Sequence, residues 1–368
     1  MALSYYDGQL HRGITRYAKE AGWILDTSMV HYGVPPQFWK GDGIITIFLP
    51  YRPQITEFLL AQHCSTVALY GDMEEIKVSR VLTDDYLVGQ MAAQEFLDRR
   101  FEYMAFAKFT DLRAVNEREM GFRDTVLKEG KKYILFDFRS KKKGSSTNWL
   151  SRLKHYIERT PKPIGLLAQS DHRANTLISG CDQLGIAVPN EVSIIGVDNN
   201  EHISDFASIP ISSVDCQREQ MAYQGAKLLD SLMKGNDAPP KPLIIKPTSV
   251  VVRQSSNHYA IKNHSVVRAL QFIDNNYLKQ IGVKDVVDAS LTSRSGLYLL
   301  FENYLHHSIS EEISRRRIAY AIRLLLETDA PIHRIAFQSG FQSTENFCRV
   351  FKRLIGLQAS KYRDNFWK

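Results

Sequence analysis

The feature that most constrains this chain is a change of rhythm near residue 255. Before it, short β-rich runs at 43–49, 65–70, 103–107, 133–138, 163–168 and 192–197 alternate with stretches of helical period at 9–21, 53–63, 85–99, 115–129, 149–159, 172–184 and 217–234. That alternation predicts an α/β part, with parallel sheets covered by helices on both faces. Functional residues are then expected at the carboxyl edges of the strands, where loops begin. A breaker cluster, Asn236 to Pro242, precedes a last strand expected over 243–253. Beyond the polar stretch Gln254 to His258 the pattern becomes wholly helical. The reading is an α/β part at 1–255, a linker at 256–264 and an all-α part at 265–368.

Length and charge narrow the function. A chain of 368 residues is too long for one ordinary core. No apolar run approaches the roughly 20 residues needed to span a bilayer. The start, Met1 to Asp7, carries no charged leader before an apolar stretch, so no export and a cytoplasmic location are expected. Cys64, Cys181, Cys216 and Cys348 lack metal-ligand spacing and are expected as buried free thiols. No metal or other cofactor is expected. The net charge of +7 is uneven: from His264 to Lys368 there are 15 Lys and Arg against 10 Asp and Glu. A basic final third points to a polyanion such as DNA.

That final third holds a weak repeat. Two units, about 283–305 and 332–354, each read as short helix, turn, second helix, and a longer amphipathic helix at 310–327 separates them. In the second unit Ile332, Ile335 and Ala336 precede the turn Gly340-Phe341, Ser343 is placed as an N-cap, and Phe347, Val350, Phe351 and Leu354 repeat as a buried face. Thr344, Glu345, Asn346 and Arg349 fall on the opposite face, with Lys352 and Arg353 further along. A braced short helix with polar and basic side chains outward fits the major groove.

The string from Ile335-Ala336 through Gly340-Phe341-Gln342-Ser343-Thr344-Glu345-Asn346-Phe347 to Tyr362-Arg363 resembles the signature of the AraC/XylS family. Ser293-Arg294-Ser295-Gly296-Leu297 and Phe301 resemble that family's first recognition helix, and the likeness covers about 264–366. It implies operator DNA as a partner, with Arg294, Ser295, Tyr298 and Leu299 of the first unit joining the second unit's outer face in contact. Departures are specific: Leu291 and His306 stand where the family has Gly, Leu299 where it often has a polar or basic reader, and Ala359 where it has Pro. The first unit is therefore expected to bind weakly or to read thymine methyls through Tyr298 and Leu299. Arg294, Arg315, Arg316 and Arg317 are candidates for phosphate contact or for solvated helix faces.

The first 255 residues resemble LacI/GalR-type effector domains, which share the two-lobed periplasmic-binding-protein fold. Arg12-Gly13-Ile14, Thr83-Asp84-Asp85, Asn116-Glu117-Arg118, Ser170-Asp171, the run from Val188 to Asn199 and Ser212-Ser213-Val214 carry the likeness by order and spacing. With effector first and AraC-type part last, the order resembles that of bacterial xylose-operon regulators, as do Gly196-Val197-Asp198-Asn199 and the run from Tyr223 to Leu229. The resemblance implies lobe one at about 1–99 and 214–237, and lobe two at about 100–213 and 238–254. It also implies a sugar effector (xylose or a related aldose), a homodimer and contact with RNA polymerase. Asp84, Arg118, Asp171 and Asp198 fall where the family places ligand contacts. Ionised Asp accepts from two neighbouring hydroxyls and Arg donates a planar fork, which suits a pyranose. Tyr6 is an aromatic candidate at the cleft mouth.

Each carboxylate has a simpler reading as a helix cap or salt-bridge partner, Asp171 above all. An enzyme using Asp171 and Asp198 as a glycosidase pair is the alternative class, but no glycine-rich phosphate loop, nucleophile elbow or metal cluster accompanies them. A purine or amino acid in place of sugar stays open. Only Met1 to Ser4 remain for the first strand, so translation is expected to begin a few codons upstream.

Overall fold

The computed structural model describes residues 1, 6–29, 39–48, 53–71, 76–139 and 149–367. The expected first strand at Met1 to Ser4 lies almost wholly outside them. The chain forms two compact units, Met1–His258 and Tyr259–Lys368.

Among the described residues the first unit holds two sheets. Strands β1 (Gly43–Phe48), β2 (Ser65–Gly71), β3 (Ser79–Thr83) and β9 (Leu243–Ile245) form one, all parallel, in the order β1-β2-β3-β9. The second has the order β10-β8-β7-β6-β4-β5 and comprises β4 (Tyr103–Lys108), β5 (Lys132–Asp137), β6 (Ile164–Ala168), β7 (Val192–Val197), β8 (Ser212–Val214) and β10 (Val250–Val251). Only β10 runs antiparallel there. The strands β4, β6 and β7 are almost wholly buried, as strands covered on both faces must be.

Helices α1 (Gly8–Ala21) and α8 (Arg218–Met233) pack together and cover the first sheet, with Leu10, Ile14 and Ala18 turned inward at fourfold spacing. Helix α2 (Pro53–Leu60) precedes β2. Helices α3 (Asp85–Asp98) and α4 (Arg113–Lys128) cross closely. A Cβ on Gly89 would lie 2.1 Å from the Arg118 carbonyl oxygen, and one on Gly121 2.0 Å from that of Tyr86. Helices α5 (Trp149–Arg159), α6 (Asp171–Gln183) and α7 (Glu201–Ser204) complete the second lobe.

Two lobe assignments are corrected. Helix α3, expected in lobe one, packs on the second sheet: the Phe96 ring sits where a Cβ on Gly165 would be, 2.7 Å away. The chain therefore changes lobe at Thr83/Asp84. The last strand, expected as one piece in lobe two, is two: β9 pairs with β3 in the first sheet and β10 with β8 in the second. The crossing segments are bonded together. The Thr248 amide donates to the Asp215 carbonyl (3.0 Å), the Asp215 amide to that of Ser249 (2.9 Å), and the Asp84 amide to that of Ile245 (3.0 Å).

The second unit is all helix: α9 (His264–Asn276), α10 (Val283–Ser290), α11 (Arg294–Leu305), α12 (Ile309–Glu327), α13 (Ile332–Gln338), α14 (Thr344–Ile355) and α15 (Ala359–Trp367). It has two apolar cores, one around Phe301 and Leu270, the other around Phe347 and Phe351, with α12 contributing to both. Among the described residues no helix is long and apolar enough to cross a membrane.

Candidate functional site

The candidate cleft lies at the carboxyl edge of the second sheet, opposite the start of α1 and α8. A cavity of about 360 Å³ is lined there by Tyr6, Asp7, Tyr70, Gln169, Asp171, Asp198 and Arg218, with Leu112, Val115 and Ile203 as apolar wall. That volume falls in the range of small-molecule sites.

Its polar floor is a row of alternating charges. Arg118, 1% exposed, donates from Nε to Asp85 Oδ1 at 2.8 Å and from Nη1 to the Gln169 carbonyl at 2.7 Å. Its Nη2 stands 3.9 Å from Asp198 Oδ1. Asp198 Oδ2 meets Arg218 Nη1 at 2.9 Å, and Arg218 Nε lies 3.5 Å from Asp7 Oδ2. The row runs from lobe two into lobe one, since Asp7 caps α1 by accepting from the Leu10 amide and Arg218 opens α8. Burial pushes the Asp85 carboxyl up to about 6, although Arg118 and Arg113 hold it down.

Of the expected ligand residues, Asp198, Asp171 and Tyr6 line the cavity; Asp84 and Arg118 do not. Asp84 is the N-cap of α3, accepting from the Leu87 amide at 3.0 Å, and its neighbour Asp85 is the buried partner of Arg118. Arg118 is the sealed end of the charged row, reaching the cavity only through Asp198, 3.9 Å from its Nη2. Asp171 is not a cap, because Ser170 caps α6. Its oxygens accept from Ser213 Oγ at 2.6 Å, the Asn200 amide at 2.8 Å and Ser204 Oγ at 3.2 Å. Burial pushes its carboxyl up to about 7, the Asp198 charge adds to that, and the three donors oppose it. With both oxygens occupied, Asp171 is poorly placed as half of a glycosidase pair.

Asp171 instead fixes the loop that carries Asp198. Asp198 and Asn199 have φ of 107° and 49°, a strained region for residues with a side chain. Three successive amides hold them there: Asp198 to the Val214 carbonyl (3.0 Å), Asn199 to Ser213 Oγ (2.9 Å) and Asn200 to Asp171. The strain aims Asp198 into the cavity. Tyr6 is 55% exposed at the mouth, edge-on to His11. Asp7, Gln169 and Arg218 are cavity residues that the sequence reading missed. For Arg218, its place just after β8, where the chain returns to lobe one, was the available signal.

The helical unit leaves most of the residues expected to meet DNA on exposed surfaces. Ser293 caps α11 and Ser343 caps α14, each accepting from an amide three residues on. On α11, Arg294, Ser295, Tyr298 and Leu299 are exposed, Leu299 to 66%. On α14, Glu345, Asn346, Arg349, Lys352 and Arg353 are exposed and Thr344 is half-buried, while Phe347, Val350 and Phe351 face the core. Arg349 donates to Asn346 Oδ1 at 3.0 Å.

Arg316 and Arg317 are corrected as phosphate candidates. Arg316 is tied to Asp274 (3.1 Å), Glu312 (3.0 Å) and the Tyr259 hydroxyl (2.6 Å), and Arg317 donates to the carbonyls of Tyr277 (2.8 Å) and Lys279 (2.9 Å). Arg315 pairs with Glu311 on the surface. The thiols are free, but not all are buried: Cys64 is half-buried and Cys348 stands exposed on α14.

Comparison with known proteins matches both units. Residues 93–256 match the periplasmic binding protein-like domain family, and residues 287–365 a helix-turn-helix domain family. The xylose operon regulatory protein of Escherichia coli strain K12 is 28% identical over 98% of this chain and 94% of its own. That of Haemophilus influenzae is 28% identical over 99% of this chain and 96% of its own. A solved structure of a xylose-binding transcription activator superimposes with a TM-score of 0.59 at 26% identity, covering 99% of this chain and 97% of the other.

The chain joins a periplasmic binding protein-like domain to a helix-turn-helix domain, the make-up of a sugar-responsive transcription regulator. The regulator thus sets a candidate effector cleft and a helix-turn-helix domain in one DNA-binding transcription factor.

Proposed function

We propose that the regulator is a transcription activator of pentose catabolism, switched by D-xylose or a related aldose bound in the 360 Å³ cavity. The observation that carries this is likeness along nearly the whole chain to a xylose-binding transcription activator, together with a cleft floored by Asp198 and Arg218. Asp198 accepts from sugar hydroxyls, Arg218 and Gln169 offer further polar contacts, and Tyr6 closes the mouth; Arg118, Asp171 and Asp84 hold the site from behind. Ligand bridging both lobes favours a closed state. In a homodimer, closure changes the spacing of the DNA-binding units against paired half-sites, and the bound dimer recruits RNA polymerase in the cytoplasm. No catalysis, metal or cofactor is needed. On DNA, α14 reads base edges through Arg349, with Thr344, Glu345, Asn346, Lys352 and Arg353 around it. Helix α11 reads thymine methyls through Tyr298 and Leu299, with Arg294 and Ser295 at its start.

A thermal-shift screen of pentoses, hexoses and nucleobases tests the reading. D-xylose or a related aldose raises the melting temperature, because a ligand bound only to the native state stabilises it. Asp198→Ala abolishes the rise. A shift with nucleobases and none with sugars would reassign the ligand.

A further inference from the structure

Arg253 belongs to neither the cleft nor a DNA-reading helix, yet it is bound on every side. It follows β10 and is among the last residues before the unit ends at His258. Its Nε meets Asp205 Oδ1 at 2.7 Å, Nη1 donates to the Ile211 carbonyl at 3.0 Å, and Nη2 donates to Asn199 Oδ1 at 3.0 Å. Its backbone is fastened as well: the amide donates to Ser212 Oγ (2.7 Å), and the same hydroxyl donates to the Arg253 carbonyl (3.0 Å). Two residues on, Ser255 Oγ donates to the Ile194 carbonyl at 2.6 Å and accepts from the Ser212 amide at 2.9 Å.

Asn199, the partner of Nη2, gathers four signals. It adjoins Asp198 in the strained loop. Its carbonyl accepts from Gln9 Nε2 of lobe one at 2.8 Å, so lobe separation acts on it directly. Its Nδ2 donates to Asp215 Oδ2 at 3.1 Å, in a segment where the chain crosses between lobes. Its Oδ1 accepts from Arg253. Asn199 thus lies in the loop that carries Asp198, its side chain bonds a crossing segment and the chain's exit, and its backbone bonds the opposite lobe.

We infer that Arg253 is a positioning residue for allosteric output: it passes the state of the Asp198–Asn199 loop to the segment that enters the DNA-binding unit. This rests on the proposed effector function. A closely fastened segment shifts as a body rather than absorbing the displacement, as packed interiors do. The planar fork is essential, because a lysine ammonium reaches Asp205 or Asn199 but does not hold both in a fixed geometry.

The test is the coupling factor in the full-length protein. The probes are D-xylose and a duplex enriched from a random-sequence pool by the wild-type protein. Duplex affinity is measured with and without saturating D-xylose, and D-xylose affinity by calorimetry. Wild type shows a factor in the usual range of about 5–150-fold. Arg253→Met and Arg253→Lys bind D-xylose within about threefold of wild type, but their factor falls below about 2-fold, well under that range. A purely structural brace leaves the factor intact, so wild-type coupling in both variants overturns the inference. Loss of D-xylose binding in both variants overturns it too, making Arg253 a support of the cleft. A wild type that neither binds D-xylose nor couples sinks the functional reading itself, and the inference with it.

Discussion

Arg118 of the effector unit and Arg349 of the DNA-binding unit carry the same guanidinium into opposite surroundings. Arg118 is sealed in, paired with Asp85 and aimed at Asp198. Arg349 stands in solvent on α14, steadied by Asn346. The charges of the first unit's cleft have their partners already inside the protein, so that under the proposed function a ligand competes for or completes an existing network. The second unit carries exposed charges on an apolar core, and under the proposed function their partner arrives from outside. Mutating the first kind of residue attacks the fold, and mutating the second attacks recognition.

The largest contrast is in stability. Arg118→Ala leaves Asp85 buried without its partner and destabilises the effector unit by about 3–5 kcal/mol, whereas Arg349→Ala stays within about 0.5 kcal/mol of wild type. Denaturant unfolding followed separately for the two units checks this; equal effects would erase the distinction.

Titration sharpens it next. Asp171 holds its proton up to about pH 7 in the folded effector unit, through burial and the Asp198 charge, against an ordinary 3.8. Between those values the native state binds a proton that the unfolded chain releases, so stability falls as pH rises across the window. Asp171→Asn flattens that slope in melts of the effector unit. A slope unchanged in the variant would assign the pH dependence to other groups.

Recognition comes third. Arg349→Ala weakens duplex binding by about 1–3 kcal/mol and relaxes one base preference. A uniform loss across sequences with a flatter salt slope would make Arg349 a phosphate contact. Leu299→Ala costs less; if it costs more, α11 is the dominant reader.

The smallest effect separates the two helix-turn-helix repeats. Gly340 and Gly356 take φ of 82° and 80° in the second, while Leu291 and His306 take 56° and 60° at the matching ends of the first. A side chain in that region costs about 1–2 kcal/mol, partly offset by the extra freedom glycine has when unfolded. Leu291→Gly and His306→Gly each stabilise the DNA-binding unit by up to about 1 kcal/mol in thermal melts. Destabilisation would mean these side chains make contacts worth more than the strain.

The same contrast explains what the sequence disclosed. The DNA-binding unit was legible nearly residue by residue, because Ser343, Phe347, Val350 and Phe351 encode cap and core locally, within one helix. The effector fold was legible through its alternation, but β3 was missed, since Val81-Leu82-Thr83 is too short an apolar run after Lys77 and Arg80. The cleft was half legible. Asp198, Asp171 and Tyr6, expected at the site, do line the cavity, yet in Thr83-Asp84-Asp85 the first Asp was chosen where the second is the buried partner of Arg118. Arg218 and Asp7 come from opposite ends of the effector unit and meet only in the folded cleft, so their pairing has no local pattern, and only the position of Arg218 just after β8 hinted at its place.

The central claim is that effector and DNA act on one equilibrium. D-xylose is titrated into the full-length protein with and without the enriched duplex at fixed salt. The account predicts that the duplex changes sugar affinity by the same factor by which sugar changes duplex affinity. Equal sugar affinity in both titrations would contradict it.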